Sequence, residues 1–260
     1  MEAREGNPVP AAAAGDGLSG RGMQQSPQEW DLRNRMLVER MAELIEAFAG
    51  APRGRAIDVG CQRGVLTDAM AERTELTWTG VDPSIEAPRT SEGGAELLPG
   101  YADQLPFEGE TFACAMLANV YEHILPERRR ASLAELYRVL APGGVVVGQL
   151  PNPYFPIESH SRLPFMGWLP VRLQKAYWRL APVPWEHDFY VVTVADVRRN
   201  AAEVGFEVAL VRNFNYPPEV IPRPVRWAAR LLSRPMRRFP WAWQFVLRRP
   251  AEARHGAAPR

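Results

Sequence analysis

Three observations predict an α/β fold: a doubly wound, mostly parallel sheet with helices on both faces. Apolar strand-like runs alternate with helical stretches between Arg55 and Arg212, the rhythm of parallel strands joined by crossover helices. One such run, Ala56-Ile-Asp-Val59, ends in an acid and a glycine-bracketed turn, Gly60-Cys-Gln-Arg-Gly64, and a helical stretch follows. A buried strand delivering a carboxylate and a tight loop to a helix N-terminus builds a nucleotide-sized crevice at the carboxyl edge of a parallel sheet. Finally, Phe112 to Ala118 is apolar on both faces, as a central parallel strand must be.

The elements are read in chain order. Residues 1–27 are rich in Ala, Gly, Pro and Gln, without periodicity, and are expected to be disordered. Between Gln28 and Phe48, residues Trp30, Met36, Leu37, Met41, Leu44 and Ile45 fall mostly on one helical face, and Gly50 and Pro52 stop that helix. Arg55 to Val59 is the first strand and Val65 to Glu72 the helix after it. Thr77 to Val81 is the second strand, ending in Asp82-Pro83, and Glu96 to Tyr101 is a short third. After the fourth strand, Phe112 to Ala118, Pro126 opens a helix whose stripe is Leu133, Leu136, Val139 and Leu140, stopped by Pro142-Gly-Gly144. Val145 to Leu150 is the fifth strand. Thr193 caps a helix through Val204, and Gly205 turns the chain into a sixth strand, Phe206 to Arg212.

Two regions depart from the alternation. Residues 151–192, after the fifth strand, are rich in proline and aromatic side chains and are read as an insertion forming a lid and acceptor pocket; the same aromatics could simply build a small local core. Residues 213–260 form a basic, Trp- and Pro-rich extension. Arg223, Arg226 and Arg230 share one helical face, and no acid occurs from Arg223 to Arg249, so residues 223–249 suit contact with an anionic membrane surface or packing on the domain with solvated arginines.

Bulk properties narrow the classes. Apolar residues make up 46% and charged residues 23%, so a chain of 260 residues can bury a true core. A net charge of +1 gives no global field toward nucleic acid. Cys61 and Cys114 lack metal-ligand spacing and read as free thiols of a reducing compartment. No apolar run approaches the roughly 18 residues of a spanning helix, and the N-terminus lacks the apolar stretch of a signal peptide; a cytoplasmic protein is expected.

The series Asp58-Val-Gly-Cys-Gln-Arg-Gly64, Gly80-Val-Asp82, Leu105-Pro-Phe107, Glu122-His-Ile124 and Arg138-Val-Leu-Ala-Pro-Gly-Gly144 resembles class I S-adenosylmethionine-dependent methyltransferases of the small-molecule, quinone-biosynthesis-like type, whose sheet is Rossmann-like. The resemblance covers roughly residues 55–150 and implies S-adenosylmethionine as cofactor. In such a protein Asp58 reaches the methionine amino group, Gly60 and Gly64 let the backbone pass under the nucleoside, and Cys61 belongs to the same loop. Asp82, with Pro83 beside it, accepts from the ribose hydroxyls, and its place 22 residues after Gly60 is near the spacing of a ribose carboxylate. Ala102, Asp103 and Asn119 complete the set, with Asp103 toward the adenine amino group. Two positions depart from the family: Gln62 stands where a third glycine is usual, and Tyr101 where an adenine-contacting acid is common.

Methyl transfer from a sulfonium needs alignment first, and a base only for a hydroxyl or a protonated amine. His160, in Glu158-Ser-His-Ser-Arg162, is the leading base or acceptor ligand, with Glu158 beside it; His123 follows the fourth strand, and His187 lies between Glu186 and Asp188. The residue types of Glu122, His123, Glu158 and His160 would suit a divalent ion, but their spacing matches no compact site, so no metal is expected.

Asn152-Pro-Tyr154 superficially matches a motif of base-amino methylation but follows the fifth strand instead of the fourth, and no Pro-Cys pair follows the fourth. Nucleic acid is therefore not the expected partner. The expectation is methyl transfer to a small-molecule acceptor, through an oxygen of a lipid-linked, sugar or natural-product compound. The alternative is a catalytically idle protein of the same fold that binds a membrane or a partner. A nicotinamide-dependent oxidoreductase is disfavoured because Asp58 precedes the glycine turn and the Gly-x-Gly-x-x-Gly pattern is absent.

Overall fold

A computed structural model describes residues 27–161, 163–181, 189–217 and 239–251. Among the described residues eight strands form one sheet in the order β3-β4-β2-β1-β5-β6-β8-β7. The central strands β1 (Gly54–Val59), β2 (Leu76–Asp82), β4 (Glu96–Pro99), β5 (Phe112–Ala118) and β6 (Leu140–Pro151) are mutually parallel. β8 (Ala242–Arg248) runs antiparallel to both β6 and β7 (Glu207–Phe214). The two-residue β3 (Arg89–Thr90) pairs antiparallel with β4 at the other edge.

The helices cover both faces because each side of the sheet is apolar. α1 (Pro27–Ala49) and α2 (Val65–Arg73) close one core, in which Leu37, Met41, Ile45 and Met70 meet Ala56, Trp78, Met116 and Val147. α3 (Arg129–Val139) and α5 (Val194–Val204) close the other, where Leu133, Leu136, Val197 and Ala201 meet Ile57, Ala115, Leu117 and Val146. The Thr193 cap forms as expected: its hydroxyl accepts from the Asp196 N–H, and Asp196 accepts from the Thr193 N–H, satisfying two orphan donors.

The C-terminal extension requires a correction. Residues 242–248 are not an appendage but a strand inserted between β6 and β7, with Phe245, Val246 and Leu247 buried. The flanking arginines are drawn inward by carbonyl groups: Arg248 donates to the Phe48 oxygen, and Arg249 to those of Tyr137 and Leu140. Of the segment read as suited to a membrane, residues 223–238 lie outside the described residues, as does the tail before Pro27. No described helix is long and apolar enough to cross a membrane.

The insertion holds α4 (Val171–Leu180) and a 3-10 turn, Met166–Trp168. Met166, Trp178 and Phe189 form a small core there, with Leu163 and Tyr177 against it, so part of the aromatic content does build a local subdomain. Tyr154, Phe165 and Trp168 remain exposed.

Candidate functional site

The crevice grows out of the β1–α2 loop. Asp58 closes β1 opposite Gly80 of β2, and its buried carboxylate accepts from the Thr67 hydroxyl of α2 at 2.7 Å. Burial, with the negative charge of Asp82 nearby, pushes the Asp58 carboxyl up from 3.8 to about 7. The loop then folds back on β2: the N–H groups of Gly60 and Cys61 both donate to the Val81 carbonyl. Gly60 adopts φ +82, and a Cβ there would lie 2.4 Å from a Val120 methyl, so only glycine fits between the loop and the chain leaving β5. Gly64, also left-handed, begins α2.

Asp82 ends β2 facing that loop. Its Oδ2 accepts the Gln62 N–H at 2.9 Å, and its Oδ1 accepts the Ser84 N–H and hydroxyl. The Ser84 hydroxyl is the partner that can rotate away, which leaves acceptor capacity on both oxygens for a vicinal diol.

Gln62 resolves one departure from the family pattern. It takes the left-handed conformation a glycine would, φ +51, while its side chain is exposed and does not plug the crevice. Holding a side chain there costs about 1–2 kcal/mol, and glycine costs more entropy on folding. Gln62→Gly is therefore expected to stabilise the protein by roughly 1 kcal/mol in thermal denaturation and to leave the Asp82 contact intact. A loss of stability would show that the glutamine side chain makes a compensating contact.

On the adenine side the acid already has a protein partner. Asp103 is taken up in a two-point pair with Arg128, at 2.5 and 2.7 Å, and the same guanidinium lies 5.3 Å from the centre of the Tyr101 ring. Asp103 thus fixes the start of α3 and is not an uncommitted acceptor. The Cys61 side chain is packed inward. Its sulfur packs with Ile85 and Leu97 over Gly80, where any Cβ would lie 2.6 Å from it, and burial pushes the thiol well above its ordinary value. Pro83 is exposed and Ala102 half-buried beside the crevice loops.

Asn119, just past the end of β5 with φ +58, is held by a network of buried side chains. Its side-chain oxygen accepts from the Gln149 amide, which also donates to the Tyr216 hydroxyl. The Gln149 oxygen accepts from Gln244, whose own oxygen accepts from Arg212. β5, β6, β7 and β8 are thereby locked behind one crevice residue. Buried glutamines in otherwise apolar strands were the available signal.

Beyond Asn119 the chain makes a 3-10 turn, Tyr121–His123, and the insertion meets it. His160 Nδ1 lies 2.7 Å from Glu158 Oε1, and its Nε2 lies 3.8 Å from Glu122 Oε1. Glu158 also accepts the backbone N–H groups of His160 and Ser161 and the Ser161 hydroxyl, and the His160 charge with these bonds holds its carboxyl down at about 2 despite burial. The His123 ring meets His160 edge-on at 5.0 Å, and Phe189 stacks on its other side at 4.9 Å. Contrary to the expectation from spacing, the ligand atoms of Glu122, His123 and His160 lie within 4.8 Å of one another. His187 lies outside the described residues.

The family whose description is "methyltransferase domain" matches residues 56–144, from the middle of β1 to the glycines within β6. Over that stretch the chain is similar to a methyltransferase domain. Within the wider chain, 134 residues are 26% identical to the uncharacterized methyltransferase YodH of Bacillus subtilis, covering 48% of this chain and 56% of that protein. A stretch of 122 residues is 30% identical to the ubiquinone/menaquinone biosynthesis C-methyltransferase UbiE of Geotalea daltonii, covering 42% of this chain and 51% of that one. The chain thus spans about half the length of these curated relatives. The crystal structure of an S-adenosylmethionine-dependent methyltransferase from Mesorhizobium loti superposes with a TM-score of 0.54 at 18% identity, covering 82% of this chain and all of the other. That likeness in fold covers more of the chain than the stretch the family matches.

Proposed function

We propose that this protein is an enzyme that transfers the methyl group of S-adenosylmethionine to an oxygen of a small lipid-linked, sugar or natural-product acceptor. The observation that carries the reading is the convergence of Asp58 and Asp82 on the Gly60–Gly64 loop. The crevice fits the donor chemically. A carboxyl as buried as Asp58 is relieved by an ammonium group, Asp82 offers two oxygens to a ribose, and the loop backbone at Gly60 admits close approach. S-adenosylmethionine, when bound, supplies a methyl group on a sulfonium that departs as a neutral thioether.

The chain's own residues orient and activate the acceptor. An oxygen attacking the methyl carbon must lose its proton, and Glu122 and His123, in the segment that leaves Val120 under Gly60, meet Glu158 and His160 of the insertion there. Glu158 fixes His160 through Nδ1 and so aims Nε2 away from the insertion backbone. The exposed aromatic side chains of the insertion, Tyr154, Phe165 and Trp168, favour an acceptor with an apolar portion.

Calorimetric titration with S-adenosylmethionine and with NAD tests the donor: binding of the first and not the second is expected. Incubating the protein with cell extract and labelled methyl donor then identifies the acceptor. His160→Ala is expected to lower turnover at least tenfold and to leave donor affinity unchanged. Equal turnover in the variant would remove the cluster from the reaction.

A further inference from the structure

The cluster beyond β5 is electrostatically incomplete. Glu122 is 4% exposed, and neither of its carboxylate oxygens has a hydrogen-bond partner among the described residues. Burying an unpaired carboxylate is costly, so such a group ordinarily meets a donor or a cation. Arg129 does not serve: its guanidinium is spent on the carbonyl oxygens of Ile124, Tyr190 and Val191.

What faces Glu122 is a pair of imidazoles. Held at Nδ1 by Glu158, the His160 ring turns its other nitrogen, Nε2, toward Glu122. Nε2 stands 3.8 Å from Glu122 Oε1, too far for a hydrogen bond. His123 brings a second imidazole to the same point, and the three ligand atoms lie within 4.8 Å of one another. A carboxylate holding the outer nitrogen of an imidazole, whose inner nitrogen faces a further carboxylate and a second imidazole, is how proteins prepare a histidine to ligate a metal.

We infer that Glu122, His123 and His160 bind a divalent transition-metal cation of the Zn2+ class, oriented by Glu158, and that the acceptor oxygen takes its open coordination position. Two imidazoles and one carboxylate suit zinc and its neighbours, whereas Mg2+ and Ca2+ take oxygen ligands. Bonds of about 2.0–2.2 Å would draw the three ligand atoms together by about an ångström, within the reach of side-chain rotation. The acceptor role rests on the methyltransferase reading above; the cation site itself does not.

The test uses the full chain, stripped with a chelator and titrated with Co2+ and Zn2+. The expected result is one equivalent of Co2+ per chain with the visible absorption of a four-coordinate ion, displaced by Zn2+. Glu122→Gln keeps the shape of the side chain but weakens it as a ligand, and with His160→Ala it should lower Zn2+ affinity more than a hundredfold. Glu158→Gln should weaken binding about ten- to a hundredfold by loosening His160. Circular dichroism and donor calorimetry on the same samples check that each variant is folded with its crevice intact. A wild-type protein that is folded and binds the donor but takes up no stoichiometric metal overturns the site, as does undiminished affinity in the folded Glu122→Gln variant. Absence of donor binding by a protein that does bind Co2+ would instead defeat the methyltransferase reading.

Discussion

Asp58→Asn is expected to raise the stability of the donor-free protein above neutral pH and, in the same variant, to destroy most of its affinity for S-adenosylmethionine. The folded protein holds the Asp58 proton up to about pH 7, whereas the unfolded chain releases it near 3.8. Between these values the unfolded state binds fewer protons than the folded one, so stability falls as pH rises. The penalty is absent below about pH 4, grows from there and is complete above about pH 7. At 1.36 kcal/mol per pH interval the gap of roughly 3 sets an upper bound of about 4 kcal/mol. Asparagine carries no charge to desolvate and keeps an oxygen for Thr67, so it should recover much of that amount, measured as the difference between variant and wild type in denaturant melts at pH 8 and pH 5. The gain should shrink at the lower pH. An ammonium group bound at Asp58 needs the ionised carboxylate, so wild-type donor affinity should rise with pH up to about 7 and level off, and the variant should show no such rise. A pH-independent wild type would mean that the donor amine does not contact this carboxyl.

Asp82→Ala should weaken S-adenosylmethionine binding by about 1–3 kcal/mol, roughly 5–150-fold, because it removes both acceptors of the ribose diol. The loss reaches beyond the diol. The same carboxylate holds the Gln62 N–H and Ser84, so its removal also frees a loop residue already in a costly conformation. Asp82→Asn separates the two effects: its remaining oxygen can still anchor the Gln62 N–H, so the loop stays ordered while one diol contact is lost. Calorimetry should therefore rank donor affinity wild type, then Asn, then Ala. An alanine variant that binds as tightly as wild type would show that the nucleoside lies elsewhere.

The crevice was legible because its parts are local. An apolar run, an acid and two glycines within the nine residues 56–64 specify a strand, a turn and a helix start, and a second acid at the tip of the following strand specifies the other wall. Positive φ at Gly60 and Gly64 is what those glycines predict. The Arg128 partner of Asp103 was not legible for the opposite reason: it lies 25 positions away, and no local pattern distinguishes an uncommitted acid from one held by a distant guanidinium.

The C-terminal strand shows the same limit at larger scale. Trp241, Trp243 and Phe245 among arginines have the composition of a membrane-facing segment, yet β8 pairs with Val145–Pro151, and Gln244 meets Gln149 across 95 positions of chain. By itself the sequence determined the parallel α/β core, the glycine loop and its two carboxylates, because periodicity and turn chemistry act over a few residues. Only the tertiary structure decided that residues 242–248 complete the sheet, that Asn119 is locked through buried glutamines, and that Glu122 and His123 meet His160. Strand insertion and the meeting of buried polar groups join segments far apart in the chain, and their energy comes from pairing and desolvation that exist only once those segments are together.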